Sequence, residues 1–327
     1  MTGTDFYRDT PMAPMFERFG LIAIDVGARG GFDPDLLPAA WATTVIGFEP
    51  EPEAFDSLNA MPSTPWRAIR LLPYAVAGRD GERTLHVPRD PRGASLLRHD
   101  QKIGQRFGVE DLFEIAETFE VDTRSLDSLF AEHELDPPHY MKLDVEGAEL
   151  EVLEGAERLL DDVLAVKLEG GFMHFRHEQP LAWDLIRHLD QRGFEFMDIF
   201  NMHRWRRGSS VPAPYMQRRD PAFSKGQAAQ ADLLFLRRPE TLAAGNTEAR
   251  IRIALLAATF GQLDHARALL AEEAVSKLLA EAINSDPLAA LDAASRRYGR
   301  SYGWNAIRRH LRELVPLLRA VTRGLPG

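Results

Sequence analysis

Leu21-Ile22-Ala23-Ile24-Asp25-Val26-Gly27-Ala28-Arg29-Gly30-Gly31 is an apolar run that closes on an acid and then on a cluster of glycines. The run reads as a buried strand, and the glycines as a turn where backbone must come close to a ligand before a helix begins. Dinucleotide-binding folds use a Gly-x-Gly-x-x-Gly turn of this kind to seat a pyrophosphate on a helix N-terminus. Here Asp25 stands where that motif has its first glycine, and its charge would repel a diphosphate. A ligand with positive charge and no phosphate suits Asp25, Gly27, Ala28, Arg29 and Gly30 better. S-adenosylmethionine, with its ammonium and sulfonium groups, is such a ligand, and an NAD(P)-dependent oxidoreductase is the disfavoured enzymatic alternative.

Outward from this turn, strand-like runs recur at 44–48, 67–72, 139–143, 163–168, 194–200 and 231–236. Helical periodicity appears at 52–60, 148–160 and 181–191. Strands that alternate with helices imply βαβ units and a mostly parallel sheet. The stretch 78–121 breaks that rhythm and reads as an insertion near the ligand face. Beyond Pro239 the pattern is helical, with segments at 247–260, 263–273 and 274–284. The chain therefore divides into an N-terminal segment 1–17, an α/β domain 18–238 and an all-α extension 245–327.

In an open α/β sheet, ligands bind beyond the carboxyl ends of the strands. Glu49 closes the second strand at the offset where an acid accepts hydrogen bonds from a ribose, and Pro50 stops that strand. Tyr74-Ala75-Val76-Ala77 offers small apolar side chains, Ala75 among them, where an adenine could lie. Ser95, after a turn at Gly93, could reach the cofactor or the substrate. Asp144 and Glu146 lie at a strand-to-helix junction that faces the same space as Asp25. Methyl transfer to oxygen needs donor and acceptor in line about 3 Å apart, and a base for the hydroxyl proton. Asp144, Glu146 and His174 are the candidate bases, with Asp144 near the methyl group. Glu169, His174, Trp205 and Arg206 are candidate substrate contacts, Trp205 as a stacking plate. Glu149 and Glu151 read as a solvated helix face. His174 and His177 lack a third ligand, so no metal site is expected.

The 327 residues include no cysteine, which excludes thiol nucleophiles, thiolate metal sites and redox dithiols. A net charge of −10 argues against nucleic acid as a partner. No apolar run approaches the roughly 20 residues that span a bilayer, and the N-terminus lacks a signal-peptide pattern, so a cytoplasmic protein is expected. The charge is uneven. Residues 245–327 hold 12 Lys+Arg against 8 Asp+Glu, and 293–327 hold 8 arginines against Glu313 alone. Residues 301–324 form a basic amphipathic stripe that suits contact with neighbouring helices or a second copy of the chain (a homo-oligomer), or peripheral contact with a membrane.

Asp25 to Gly31, Phe48-Glu49-Pro50 and Lys142-Leu143-Asp144-Val145-Glu146-Gly147-Ala148-Glu149, with Val121 to Asp127 between them, resemble the FkbM family of S-adenosylmethionine-dependent methyltransferases. The resemblance covers about residues 18–237. It implies a class I, Rossmann-like, seven-stranded sheet with helices on both faces, and cofactor contacts from Asp25, Gly27 and Glu49. It also implies O-methylation of a sugar, glycan or glycosylated metabolite. A non-catalytic module that recruits partners through the helical tail is the alternative. Gly170-Gly171 and residues 240–327 depart from the family pattern.

Overall fold

A computed structural model describes residues 3–28, 31–207, 226–283 and 286–323. Its strands are β1 (Leu21–Val26), β2 (Thr43–Phe48), β3 (Ala68–Leu72), β4 (Ala75–Val76), β5 (Gly81–Pro88), β6 (Ile115–Arg124), β7 (Tyr140–Leu143), β8 (Ala165–Gly171), β9 (Phe194–Trp205) and β10 (Gln227–Arg237). Seven of them make the main sheet in the order β3-β2-β1-β7-β8-β10-β9. All its pairs are parallel except those of β10, which runs antiparallel to both neighbours. The order reverses between β1 and β7, the position at which open α/β sheets leave a crevice for ligands. β4, β6 and β5 form a separate small sheet, the core of the insertion expected from the sequence.

Both faces of the main sheet are buried along β1, β2, β7 and β8, which is why these strands read as continuous apolar runs rather than alternating ones. Successive side chains still point to opposite faces. Ala23, Tyr140, Ala165 and Leu236 enter one hydrophobic cluster, while Ile24, Met141, Val166 and Phe235 enter the other. The second cluster is covered by α4 (Leu126–Glu132), α5 (Glu149–Glu154) and α6 (Ala182–Gln191).

The first cluster is covered differently. The helix expected after the glycine turn is a 3₁₀ segment, Pro34–Ala42. Pro38 lies inside it, and a proline there lacks an N–H and clashes with the carbonyl of residue 34 in an α-helix. The missing cover comes from the chain's two ends. α1 (Ala13–Phe19), α7 (Thr247–Thr259), α8 (Leu263–Leu270) and α9 (Glu273–Ile283) pack on this face, with the start of α10 (Pro287–Arg323). Ile251 and every residue from Ile253 to Thr259 are buried, so the second half of α7 is enclosed on all sides. Tyr7 Oη donates to the Ala258 carbonyl at 2.5 Å, joining the two ends. The helical extension is thus part of the main core rather than a lobe beside it.

Leu255 and Leu256 are fully buried. Replacing either with alanine is expected to lower stability by about 2–5 kcal/mol, because a cavity adds to the lost transfer energy. Urea denaturation of the variants measures this directly.

Candidate active site

Period-two alternation places a polar row across the sheet directly above the apolar row of Ala23, Tyr140 and Ala165. Asp25 on β1 pairs laterally with Lys142 on β7, and Lys142 with Lys167 on β8. Lys142 Nζ lies 3.4 Å from Asp25 Oδ1 and 3.2 Å from Asp144 Oδ2. Burial alone would lower the Lys142 ammonium, but Asp25 and Asp144 hold it above the ordinary lysine range. Burial pushes the Asp25 carboxyl up to about 6, against the opposing pull of Lys142. The Asp33 amide donates to Asp25 Oδ2 at 2.8 Å, and Lys167 Nζ donates to Asp33 at 2.6 Å and to Asp35 at 2.7 Å. Tyr140 Oη also donates to Asp33, at 2.5 Å.

One pleat higher the row turns acidic. Asp144 follows β7, and Glu169 on β8 pairs with Asp232 on β10. Glu146 joins from the loop after Asp144, and one oxygen from each of Asp144, Glu146 and Glu169 lies within 4.8 Å of the others. Three such oxygens could hold a cation, whether a divalent metal or an organic ligand. Their partners differ. Asp144 faces Lys142, and Glu146 faces the Arg176 guanidinium at 2.5 Å, whereas Glu169 accepts from the neutral Gln230 amide at 2.6 Å. Burial, and then the charges of Glu146, Asp144, Glu149 and Asp232, push the Glu169 carboxyl well above the usual range. Glu146 is also raised by burial, though Arg176 opposes the shift.

The loop that carries Glu146 is tightly built. Gly27 has φ +86°, and a Cβ there would lie 2.0 Å from the Asp144 carbonyl oxygen, so only glycine lets the ends of β1 and β7 touch. Glu146 itself has φ +55°, a left-handed conformation that costs a non-glycine residue roughly 1–2 kcal/mol. Ser95 Oγ donates to the Glu146 carbonyl at 2.7 Å. Glu149, only 3% exposed, accepts from the Val145 and Gly147 amides. Arg176 is buried and donates to the Gly93 carbonyl at 3.2 Å as well as to Glu146, so it joins the insertion to this loop.

The family model of the methyltransferase FkbM domain matches residues 25–196, more than half of the chain. The chain belongs to the FkbM methyltransferase family. Family membership assigns S-adenosylmethionine as its cofactor. Among solved structures, a methyltransferase FkbM from Methylobacillus flagellatus KT is 14% identical, with a TM-score of 0.36. That match covers 70% of this chain and 47% of the other, so the chain spans about half the length of that protein. The magnesium protoporphyrin IX methyltransferase of Synechocystis PCC 6803, solved with bound S-adenosylmethionine, is 11% identical over 73% of this chain and 86% of its own, with a TM-score of 0.33. An rRNA methylase from Streptococcus thermophilus is 12% identical over 72% of this chain and 98% of its own, with a TM-score of 0.32. No curated protein matches the chain.

Within the FkbM domain, the structure brings Asp25, Gly27, Asp144, Glu146 and Glu169 together around the crevice, and buries Glu49 to 4% exposure at the end of β2, with Pro50 next to it. Arg29 and Gly30 lie outside the described residues. Ala28 is fully buried, and Ala75 is buried in β4, paired with Thr123 of the small sheet.

Several sequence-based expectations change here. Asp25 does not present an open charge to a ligand, because the Lys142 ammonium already faces it. The Ser95 hydroxyl is engaged by the Glu146 carbonyl and the Leu97 amide rather than held out toward a cofactor. His174 is exposed, contacts the Gln179 carbonyl and lines a groove with Glu154, Asp184 and His188, apart from the carboxylate triad. Trp205 packs its ring against Phe107, Phe113 and Phe175, with centroids 4.9–6.0 Å apart, so it is core to a small aromatic cluster. Arg206 is exposed. Glu149 is not a solvated residue, because the loop folds back over it, and Glu151 pairs with Arg83. Gly170 and Gly171 are explained by crowding: a Cβ would meet Leu233 at 2.7 Å or Gln179 at 2.9 Å. Arg176, Lys167 and Asp232 were not anticipated. The period-two register from Leu143 and Leu168 could have located Lys167 and Asp232, but nothing in the local pattern announces Arg176.

The Arg176–Glu146 pair is mostly buried. Arg176→Met is expected to destabilise the protein by about 2–4 kcal/mol, and Glu146→Gln in the same chain to recover a good part of that, in a double-mutant cycle read by thermal or urea unfolding. Glu149 provides a pH test. Burial lifts its carboxyl to about 7. With the folded pKa above the unfolded one, the folded state binds more protons, and stability is lost as pH rises from about 4.5 to 7. Glu149→Gln, which keeps an acceptor for the two amides, should remove that loss and gain up to about 3 kcal/mol relative to the parent at pH 8, with no gain at pH 4.

Proposed function

We propose that the chain transfers a methyl group from S-adenosylmethionine to a hydroxyl of a sugar, glycan or glycosylated metabolite, with Glu169 as the base. The observation that carries this reading is the convergence of Asp144, Glu146 and Glu169 at the reversal point of the sheet, each facing a different partner. The residues fit the cofactor. An acid at the offset of Glu49, at the end of β2, accepts hydrogen bonds from a ribose in nucleotide-binding sheets, which supports the same role for Glu49. The acidic crevice beyond Gly27 suits a ligand that carries ammonium and sulfonium groups, and it repels phosphate.

When bound, S-adenosylmethionine supplies an electrophilic methyl group. The work left to the chain is to hold an acceptor hydroxyl in line and to take its proton as the new C–O bond forms and the C–S bond breaks toward sulfur. The Asp144 carboxylate is already held by Lys142, and that of Glu146 by Arg176. Among the described residues Glu169 meets no cationic partner of its own and is crowded by carboxylates, which gives it the higher proton affinity that a general base needs. Asp232, Asn201 and Gln230 lie beside it, and acceptor-rich side chains of this kind suit a polyhydroxylated substrate.

Calorimetry with S-adenosylhomocysteine is the first test. Glu49→Ala should weaken binding by about tenfold or more, the loss expected from one to two buried hydrogen bonds. Unchanged affinity would overturn the cofactor placement. Cell extract with methyl-labelled cofactor should yield a labelled glycosylated product. On that product's precursor, Glu169→Gln should lower turnover by about 10²–10⁴-fold with S-adenosylhomocysteine binding retained. In the parent, the rate should rise with pH through the raised Glu169 ionisation, and this limb should vanish in the variant. A persistent limb would reassign the base.

A further inference from the structure

The methyltransferase reading leaves the far half of α10 unused. Among the described side chains of this helix, Arg297, which contacts Asp9, is the last to make a hydrogen bond, and the helix runs on to Arg323. Trp304, Ile307 and Leu311 recur at helical spacing and form one stripe, and they are 64%, 52% and 57% exposed. Arg300 and Arg308, one turn to either side of Trp304, are exposed too. From the geometry of α10 we infer that this stripe docks the protein on a bilayer surface that contains anionic lipids.

The charge distribution selects the occupant. The chain as a whole is acidic, at −10, yet residues 293–327 carry 8 arginines and a single acid. Such a segment is attracted to anionic headgroups while the rest of the molecule is repelled, so the contact is confined to this helix. An apolar stripe with a tryptophan, bordered by arginine, matches a helix that lies in the interface plane, its apolar side among acyl chains and its cations at the headgroups. No helix among the described residues is long and apolar enough to cross a membrane, so the mode is surface attachment. A second copy of the chain fits less well, because pairing two such stripes sets arginine against arginine. Nucleic acid would engage the arginines and leave Trp304, Ile307 and Leu311 largely in water.

The test uses the full chain and flotation with vesicles of phosphatidylcholine alone or mixed with phosphatidylglycerol. The chain should float with the anionic vesicles at low salt, stay behind with the neutral ones and be released by high salt. The double variant Trp304→Ser, Leu311→Ser and the double variant Arg300→Glu, Arg308→Glu should each weaken flotation by about tenfold or more, with an unchanged circular dichroism spectrum. Absence of flotation, equal flotation on neutral vesicles, or flotation of both variants equal to that of the parent would overturn the inference. A dimer in sedimentation that the serine variant splits would assign the stripe to a second copy. Retained binding to nucleic acid without lipid binding would overturn it as well.

Discussion

The Lys142 ammonium, set between Asp25 and Asp144, is the interaction on which the ligand side of this molecule depends. It sits where three adjacent strands present charged side chains on the same pleat, below the level at which the crevice opens. Without it, the buried Asp25 carboxylate would face Asp144 with no cation between them at the reversal point of the sheet, and its own ionisation would cost more. With it, the buried Asp25 is paired where the strands pack, and negative charge gathers one pleat higher, around Glu169. A sheet of period two can thus separate structural charge from working charge by a single step along each strand.

Much of this was readable in the residues, for identifiable reasons. Leu21 to Val26, Thr43 to Phe48 and Tyr140 to Leu143 are buried on both faces, so unbroken apolar runs gave both their positions and their parallel pairing. Asp144 and Glu146 stood out because an acidic pair just after such a run lies at the mouth of a sheet. The roles of individual side chains were harder to read. Asp25 was read as a ligand contact because its lateral neighbour across β7 is invisible until strand order is known. Arg176 lies 30 residues from Glu146, and only the tertiary fold brings the two together. His174 and Trp205 fit chemical roles by residue type, but the loop after β8 turns one outward and the aromatic cluster encloses the other.

The helical tail shows how a local rule can redirect a whole architecture. Pro34 and Pro38 deny the chain the α-helix that usually follows the first strand, and a 3₁₀ segment is too slight to cover Ala23, Tyr140 and Ala165. α7 takes over that duty, which explains why its second half, from Ile253 on, is buried on every side and not merely on one stripe. Periodicity predicted the helix correctly but could not say what it covered, because a helix enclosed all round carries no directional signal.

This arrangement has a consequence for how the protein is made. Tyr7 meets the Ala258 carbonyl across 251 positions of chain, and one side of the central sheet is sealed only when α7, α8 and α9 join α1 on it. A nascent polypeptide that emerges from the ribosome can assemble the covering of α4, α5 and α6 early, but its opposite side must stay bare until the helices that follow β10 have been made. During that interval the waiting surface is open to chaperones and to misassociation alike, so this topology makes the timing of synthesis a factor in the yield of native molecules.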